Sequence, residues 1–177
     1  MRATSIAAFA AVLAAAGPAT AEVVEQSETS FRSRHMVQID APPERVYAAL
    51  GEIGRWWDPA HTYSGKAENM TLELKPGGCF CEQVGAGGVR HGVVVLALPG
   101  QTLRLDAPLG PLQEEGVAAV YTFAIRAAGG GGAEVTQTLH VGGARPGMPA
   151  QLAALVDQVL GQALLRLERY LETGEGG

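Results

Sequence analysis

Basic clusters are missing from this sequence. Its 13 lysines and arginines are scattered, 18 acidic residues outnumber them, and the formal net charge is −5. That balance argues against nucleic acid or an anionic membrane as partner. Also missing, outside a short run at residues 6–16, is any apolar stretch approaching the ~20 residues of a membrane span. No Ser-His-Asp order, HExxH or internal repeat stands out, and the four glycines at 129–132 lack the strand-to-helix setting of a phosphate loop. Cysteine is limited to Cys79 and Cys81, so thiolates alone would leave a four-coordinate zinc two ligands short.

What stands at the start reads as an export leader. Met1-Arg2 is a positive start, residues 6–16 are apolar, and Gly17-Pro18 breaks a helix. Ala19-Thr20-Ala21 then offers a small-x-small cleavage pattern. The mature chain is expected to begin at Glu22 with a flexible lead over residues 22–29, in the periplasm or outside the cell, where disulfides persist. No cysteine follows the small residues, so no lipid tether is indicated, and no stable membrane insertion is expected after cleavage. Taking 21 residues from 177 leaves 156, one domain with a real core, and losing Arg2 moves the charge from −5 to −6.

Residues 31–39 alternate, with Phe31, His35, Val37 and Ile39 on one face, and predict a strand. "APPERVYAAL" predicts a helix opening near Pro43, and "IGRWWDP" a second short helical turn closed by Asp58-Pro59. Six further strands follow, around residues 70–74, 79–84, 89–97, 103–105, 117–127 and 134–141, separated by turn residues as in an antiparallel meander. On the fifth of these segments Tyr121, Phe123 and Ile125 share an inward face. Beyond Pro149 the residues Leu152, Leu155, Val156, Val159, Ala163, Leu167 and Tyr170 mark one stripe of a long helix that Gly174 stops. The predicted architecture is α+β: a curved antiparallel sheet of about seven strands wrapped around a long C-terminal helix, with two short helices after the first strand.

The order of these elements, with "APPERVYAAL…RWWDP", "KPGGCFCE" and "LLRLERYLETG", resembles the START-like (SRPBCC) superfamily, and within it the polyketide-cyclase and heat-shock-ATPase-activator-like branch. The resemblance covers residues 30–173, leaving 174–177 as a flexible tail. It implies a helix-grip fold with a deep cavity between sheet and C-terminal helix. Members include lipid and hormone binders, aromatase/cyclases, ring-hydroxylase domains and co-chaperones, so fold alone does not fix activity. The leader disfavours the co-chaperone role. The Cys-x-His and Cys-x-x-His spacings and the His/carboxylate iron ligands of ring hydroxylases are absent from the sequence, and no cofactor is expected.

Trp56 and Trp57 stand where the family's short helix closes the cavity; one is expected to line it and stack on a ligand. His61, Phe80, Tyr121 and Phe123 complete the candidate ligand contacts. Glu82, His91 and Tyr121 are the candidate acid/base groups, with Glu82 inside the cavity only if its face, shared with Phe80 and Val84, is the concave one. His91 shares strand parity with Val89, Val93 and Val95. Residues i and i+2 of a regular strand lie nearly 7 Å apart, so Cys79 and Cys81 read first as a packed free pair. A disulfide across a bulged strand, and metal or thiol chemistry with His91, are the other two readings. The favoured function is an exported protein that binds a small hydrophobic or aromatic molecule. A cyclase- or hydrolase-like enzyme using Glu82, His91 or Tyr121, and a thiol or metal protein centred on Cys79 and Cys81, stand as alternatives.

Overall fold

Alternating apolar and polar residues separated by glycine-rich turns build the sheet, and the structure, a computed structural model, describes residues 22–176. The expected leader lies outside the described residues. The chain runs β1 (Glu22–Gln26), β2 (Ser30–Ile39) and α1 (Pro43–Gly51), then three single turns of 3-10 helix at Ile53–Arg55, Pro59–His61 and Ala67–Asn69. It continues through β3 (Met70–Leu72), β4 (Cys79–Val84), β5 (Gly87–Leu98) and β6 (Thr102–Asp106) to a 3-10 turn at Gly110–Gln113. Then come β7 (Ala118–Ala127), β8 (Ala133–Gly142) and α2 (Met148–Thr173). One antiparallel sheet has the order β1-β2-β8-β7-β6-β5-β4-β3, and α2 packs against it as in a helix-grip fold.

The inner face of the sheet supplies the core. Phe31, Val37 and Ile39 from β2, Tyr121, Phe123 and Ile125 from β7, and Val135, Leu139 and Val141 from β8 are all buried. From α2 they meet Leu160, Leu164, Leu167 and Tyr170, and from α1 Val46 and Leu50. Pro43 opens α1 at its first turn, where an amide would have no intrahelical partner, and Gly174 ends α2 in the left-handed conformation.

Three features depart from the sequence reading. Residues 22–26, expected to be a loose lead, form β1, an eighth strand that pairs along the free edge of β2. On β5, His91 and Val95 do not share a face: His91 is buried and Val95 is 54% exposed. Register shifts opposite Phe80/Cys81 and between Val94 and Leu96 each add a residue, and each extra residue inverts the alternation that follows. On α2 the stripe divides. Ala163, Leu167 and Tyr170 are buried, whereas Leu155 is 60% exposed and Leu152, Val156 and Val159 are half-buried.

The first half of α2 turns Asp157 to the sheet instead. Its Oδ1 accepts from Ser33 Oγ at 2.5 Å and lies 3.0 Å from His35 Nε2, both on β2. Gly161, one turn on, makes room for that imidazole: a Cβ there would stand 2.9 Å from His35 Cε1. A mid-helix glycine costs about 1 kcal/mol relative to alanine, and close packing over His35 is the reason for it here. Asp157→Ala would take the shared acceptor from the buried Ser33 and His35, leaving them only their mutual contact at 3.0 Å. A loss of about 1–3 kcal/mol is expected in urea denaturation at pH 7; unchanged stability would show that the cluster does not hold the helix to β2.

Candidate functional site

A cavity of about 490 Å³ lies between the β4–β5 region, the loop carrying the Pro59–His61 turn, the Gly110–Gln113 turn and the first half of α2. Its walls are mainly apolar: Trp57, Phe80, Met70, Leu152, Val156 and Leu160. The half-buried α2 residues are thus cavity wall, and this is why the predicted stripe is only partly sealed.

Local turn chemistry aims the aromatics. Asp58 Oδ1 accepts from Ala60 N at 2.9 Å and fixes the turn after the tryptophans. Trp57 Nε1 donates to His61 O at 3.1 Å, so the same loop clamps the indole over Phe80, edge to face with centroids 5.9 Å apart. His61 is an exposed lining residue whose Nδ1 lies 3.5 Å from Asp58 Oδ2. Trp56 points the other way. It is fully buried, donates from Nε1 to Ala49 O at 2.8 Å and is a core residue behind Trp57.

Glu82 and Phe80 face inward, which puts the cysteines on the outer face of β4. Glu82 is 2% exposed, yet its carboxylate has three donors: Tyr63 N at 3.1 Å, Ser64 N at 2.5 Å and His91 Nε2 at 3.0 Å. Burial alone would raise its pKa; the hydrogen bonds from Ser64, the Tyr63 amide and His91 together outweigh this and hold the carboxyl below the ordinary glutamate value. A carboxylate that stays ionised can only accept, so His91 must present Nε2–H to it. The other ring nitrogen, Nδ1, has no hydrogen-bond partner among the described residues. His91 lines the cavity, with its ring 5.1 Å from Phe80 and 5.9 Å from Tyr63.

Tyr121 and Phe123 are placed elsewhere. They stack on each other at 4.7 Å in the core, and neither is among the lining residues. Gln137 Nε2 donates to the Tyr121 hydroxyl, and burial drives the phenol well above its usual pKa despite that bond. A phenol so placed is a core group with its own partner, so of the acid/base candidates His91 lines the cavity and Glu82 is bonded to it from behind. Tyr63, Met70, Glu114 and the α2 residues are wall positions that the sequence reading did not assign.

The cysteines do not form the packed free pair expected from regular strand geometry. Cys79 and Cys81 are disulfide-bonded, with Cα atoms 5.4 Å apart. The strand is not regular there: Phe80 pairs with Gly92 but Cys81 with Arg90, leaving His91 as the extra residue of a bulge. On its other side Gly92 lets the end of β6 pack close to β5, since a Cβ there would lie 2.5 Å from Ala107 Cβ. His91 faces inward, away from both cysteines, so these three do not converge on a metal. No group of three or more His, Cys, Asp or Glu among the described residues does.

A family model described as polyketide cyclase / dehydrase and lipid transport matches residues 16–172. The chain belongs to that family. Its fold is shared with solved structures of low identity. CalU16 from Micromonospora echinospora is 16% identical with a TM-score of 0.57, over 90% of this chain and 84% of that one. A conserved protein of unknown function, EF2215 from Enterococcus faecalis, is 11% identical with a TM-score of 0.58, over 90% and 80%. DynU16, from the dynemicin biosynthetic locus, is 22% identical with a TM-score of 0.52, over 82% of this chain and 48% of that one. No curated protein matches in sequence. Within the polyketide cyclase / dehydrase and lipid transport family, this member combines an apolar cavity with His91 on its wall and the buried Glu82 carboxylate behind that ring. Among the described residues no helix is long and apolar enough to cross a membrane.

Proposed function

We propose that the protein is exported and encloses a small hydrophobic or aromatic molecule in this cavity, with His91 as its polar anchor. The observation that carries the reading is the apolar cavity with one ring nitrogen left unpartnered on its wall. A volume of about 490 Å³ suits a molecule of a few fused rings or a short acyl chain, within the usual range of ligand sites. With Nε2–H held by Glu82, His91 Nδ1 carries a lone pair and accepts a hydrogen bond from a hydroxyl on an otherwise apolar ligand. The family description, which names both cyclase/dehydrase activity and lipid transport, is consistent with such a ligand. The Cys79–Cys81 disulfide agrees with an oxidising compartment.

Native mass spectrometry of the protein purified from its own host tests the reading: a retained small molecule is expected, lost when the protein is denatured. Trp57→Ala is expected to weaken binding of an apolar fluorescent probe by about 1–3 kcal/mol, the scale of an aromatic anchor. Unchanged affinity would remove Trp57 from the site.

The same pair supports a second reading, acid–base catalysis of a cyclisation or dehydration. There His91 would take a proton at Nδ1 while the Glu82 carboxylate stabilises the resulting imidazolium through Nε2–H. His91→Gln separates the two. A binding protein loses affinity for a hydroxyl-bearing apolar ligand and has no turnover to lose; an enzyme loses turnover while affinity changes little.

A further inference from the structure

The disulfide is poorly placed as a staple. It closes a ring with a single residue between the cysteines, so it removes little entropy from the unfolded chain. The ladder also holds β4 on both sides there, through Leu72–Phe80–Gly92 and Thr71–Cys81–Arg90. Both cysteines are partly exposed on the outer face, within reach of a thiol in solution. Their surroundings differ. Arg90 pairs directly across from Cys81, and its guanidinium has no partner among the described residues, whereas the Cys79 amide donates to Glu73 Oε2 at 3.4 Å, a carboxylate whose Oε1 lies 3.5 Å from Lys75 Nζ on the exposed outer face. A neighbouring cation favours a thiolate at Cys81, and a neighbouring carboxylate disfavours one at Cys79.

On the inner face of the same stretch, Phe80 is cavity wall. Phe80, the residue within the ring, touches both Trp57 and His91, and Glu82, next after Cys81, holds His91 Nε2. The bond keeps Cα79 and Cα81 at 5.4 Å, where a regular strand at ~3.3 Å per residue would set them roughly 6.6 Å apart. The compressed step lies opposite the bulge that turns His91 inward.

We propose that Cys79–Cys81 is a reversible thiol–disulfide centre whose redox state sets the position of His91 in the cavity. Reduction takes two electrons and two protons from a dithiol. One thiolate of the reductant attacks Cys79 Sγ, and Cys81 leaves as a thiolate beside Arg90 and is protonated. The second thiol of the reductant displaces Cys79 from the mixed disulfide, leaving a cyclic disulfide on the reductant and two thiols on the protein. With the bond gone, β4 extends toward regular geometry and the bulge at His91 relaxes. The effect on ligand rests on the cavity reading; the thiol exchange does not.

The test equilibrates the folded, full mature protein in graded dithiothreitol redox buffers, then quenches with acid, labels with maleimide and counts labels by mass. Interchange between zero and two labelled thiols while the fold is retained is expected; a bond that stays closed until the protein unfolds overturns the proposal. The His91 ring signals are followed by NMR in both states. They are expected to move on reduction, and identical spectra overturn the coupling. Binding of anilinonaphthalene sulfonate should change several-fold between states; failure of this probe to bind either state counts against the cavity reading while the thiol and NMR arms still decide the centre. Arg90→Gln should slow reduction several-fold at a fixed pH and shift the pH profile of Cys81 alkylation in the reduced protein upward, with Arg90→Lys restoring both. An unchanged rate and alkylation profile remove Arg90 as the group that activates Cys81.

Discussion

Trp56→Ala is expected to lower the stability of the folded protein by about 3–5 kcal/mol, the range for truncating a large buried aromatic. The side chain is 1% exposed, its Nε1 donates to Ala49 O, and it packs at 5.9 Å behind Trp57. Alanine would take away the indole donor, leaving that carbonyl only the Glu52 amide, and open a void next to the cavity wall. Urea denaturation followed by far-UV circular dichroism measures the loss. A cost below about 1 kcal/mol would mean that the region collapses to fill the gap. The neighbouring substitution, Trp57→Ala, bears on probe affinity, so the two tryptophans separate a core role from a wall role.

Glu82→Ala is expected to cost a similar amount, about 3–5 kcal/mol, because it removes a buried carboxylate and leaves His91 Nε2–H and the Tyr63 and Ser64 amides without an acceptor. The pH dependence has a definite sign. The folded carboxyl titrates below its unfolded value of about 4.3, so in the window between the two the unfolded state binds more protons. The stabilisation is complete above the unfolded value and is lost as pH falls through the folded one. Denaturation midpoints of the parent protein should therefore fall between pH 5 and pH 3. Glu82→Gln should flatten that fall without abolishing it, since Glu52, bonded by Tyr170 and Arg45, is also held low. An acid limb as steep in Glu82→Gln as in the parent would show that the carboxylate gains nothing from its donors.

The sheet and the long helix were legible because their signals are local: alternation within strands, Gly-Pro turns between them, and the apolar period past Pro149. Residues 22–26 escaped because an edge strand of sequence EVVEQ carries two glutamates and a glutamine and buries little, leaving only a weak period. The face of Glu82 could not be read from β4 alone, since it depends on which side α2 covers. The meeting of Glu82 with His91 depended on a bulge, and bulges shift parity without a residue type that announces them. In α2 a signal was present and passed over: Asp157, a lone carboxylate turned into the buried side of the helix, pays for its position with Ser33 and His35. Adjacent tryptophans differ by only one step along a short turn, so which of them reaches the cavity was decided by the Pro59–His61 loop rather than by either residue.

The eighth strand also bears on how the protein behaves at high concentration. β2 is paired along all ten residues with β8, and β1 covers part of its other edge. Stripped of those five residues, β2 would offer a row of unsatisfied amides and carbonyls beside the exposed Met36, a template for edge-to-edge self-association. Val23 is half-buried there, and the register slip between Val23 and Glu25 bends the new outer edge, which also carries the Glu25–Arg32 ion pair. Solubility is thus guarded by a stretch that adds little to the core, and a form trimmed to begin at Ser27 would keep the cavity and yet tend to aggregate.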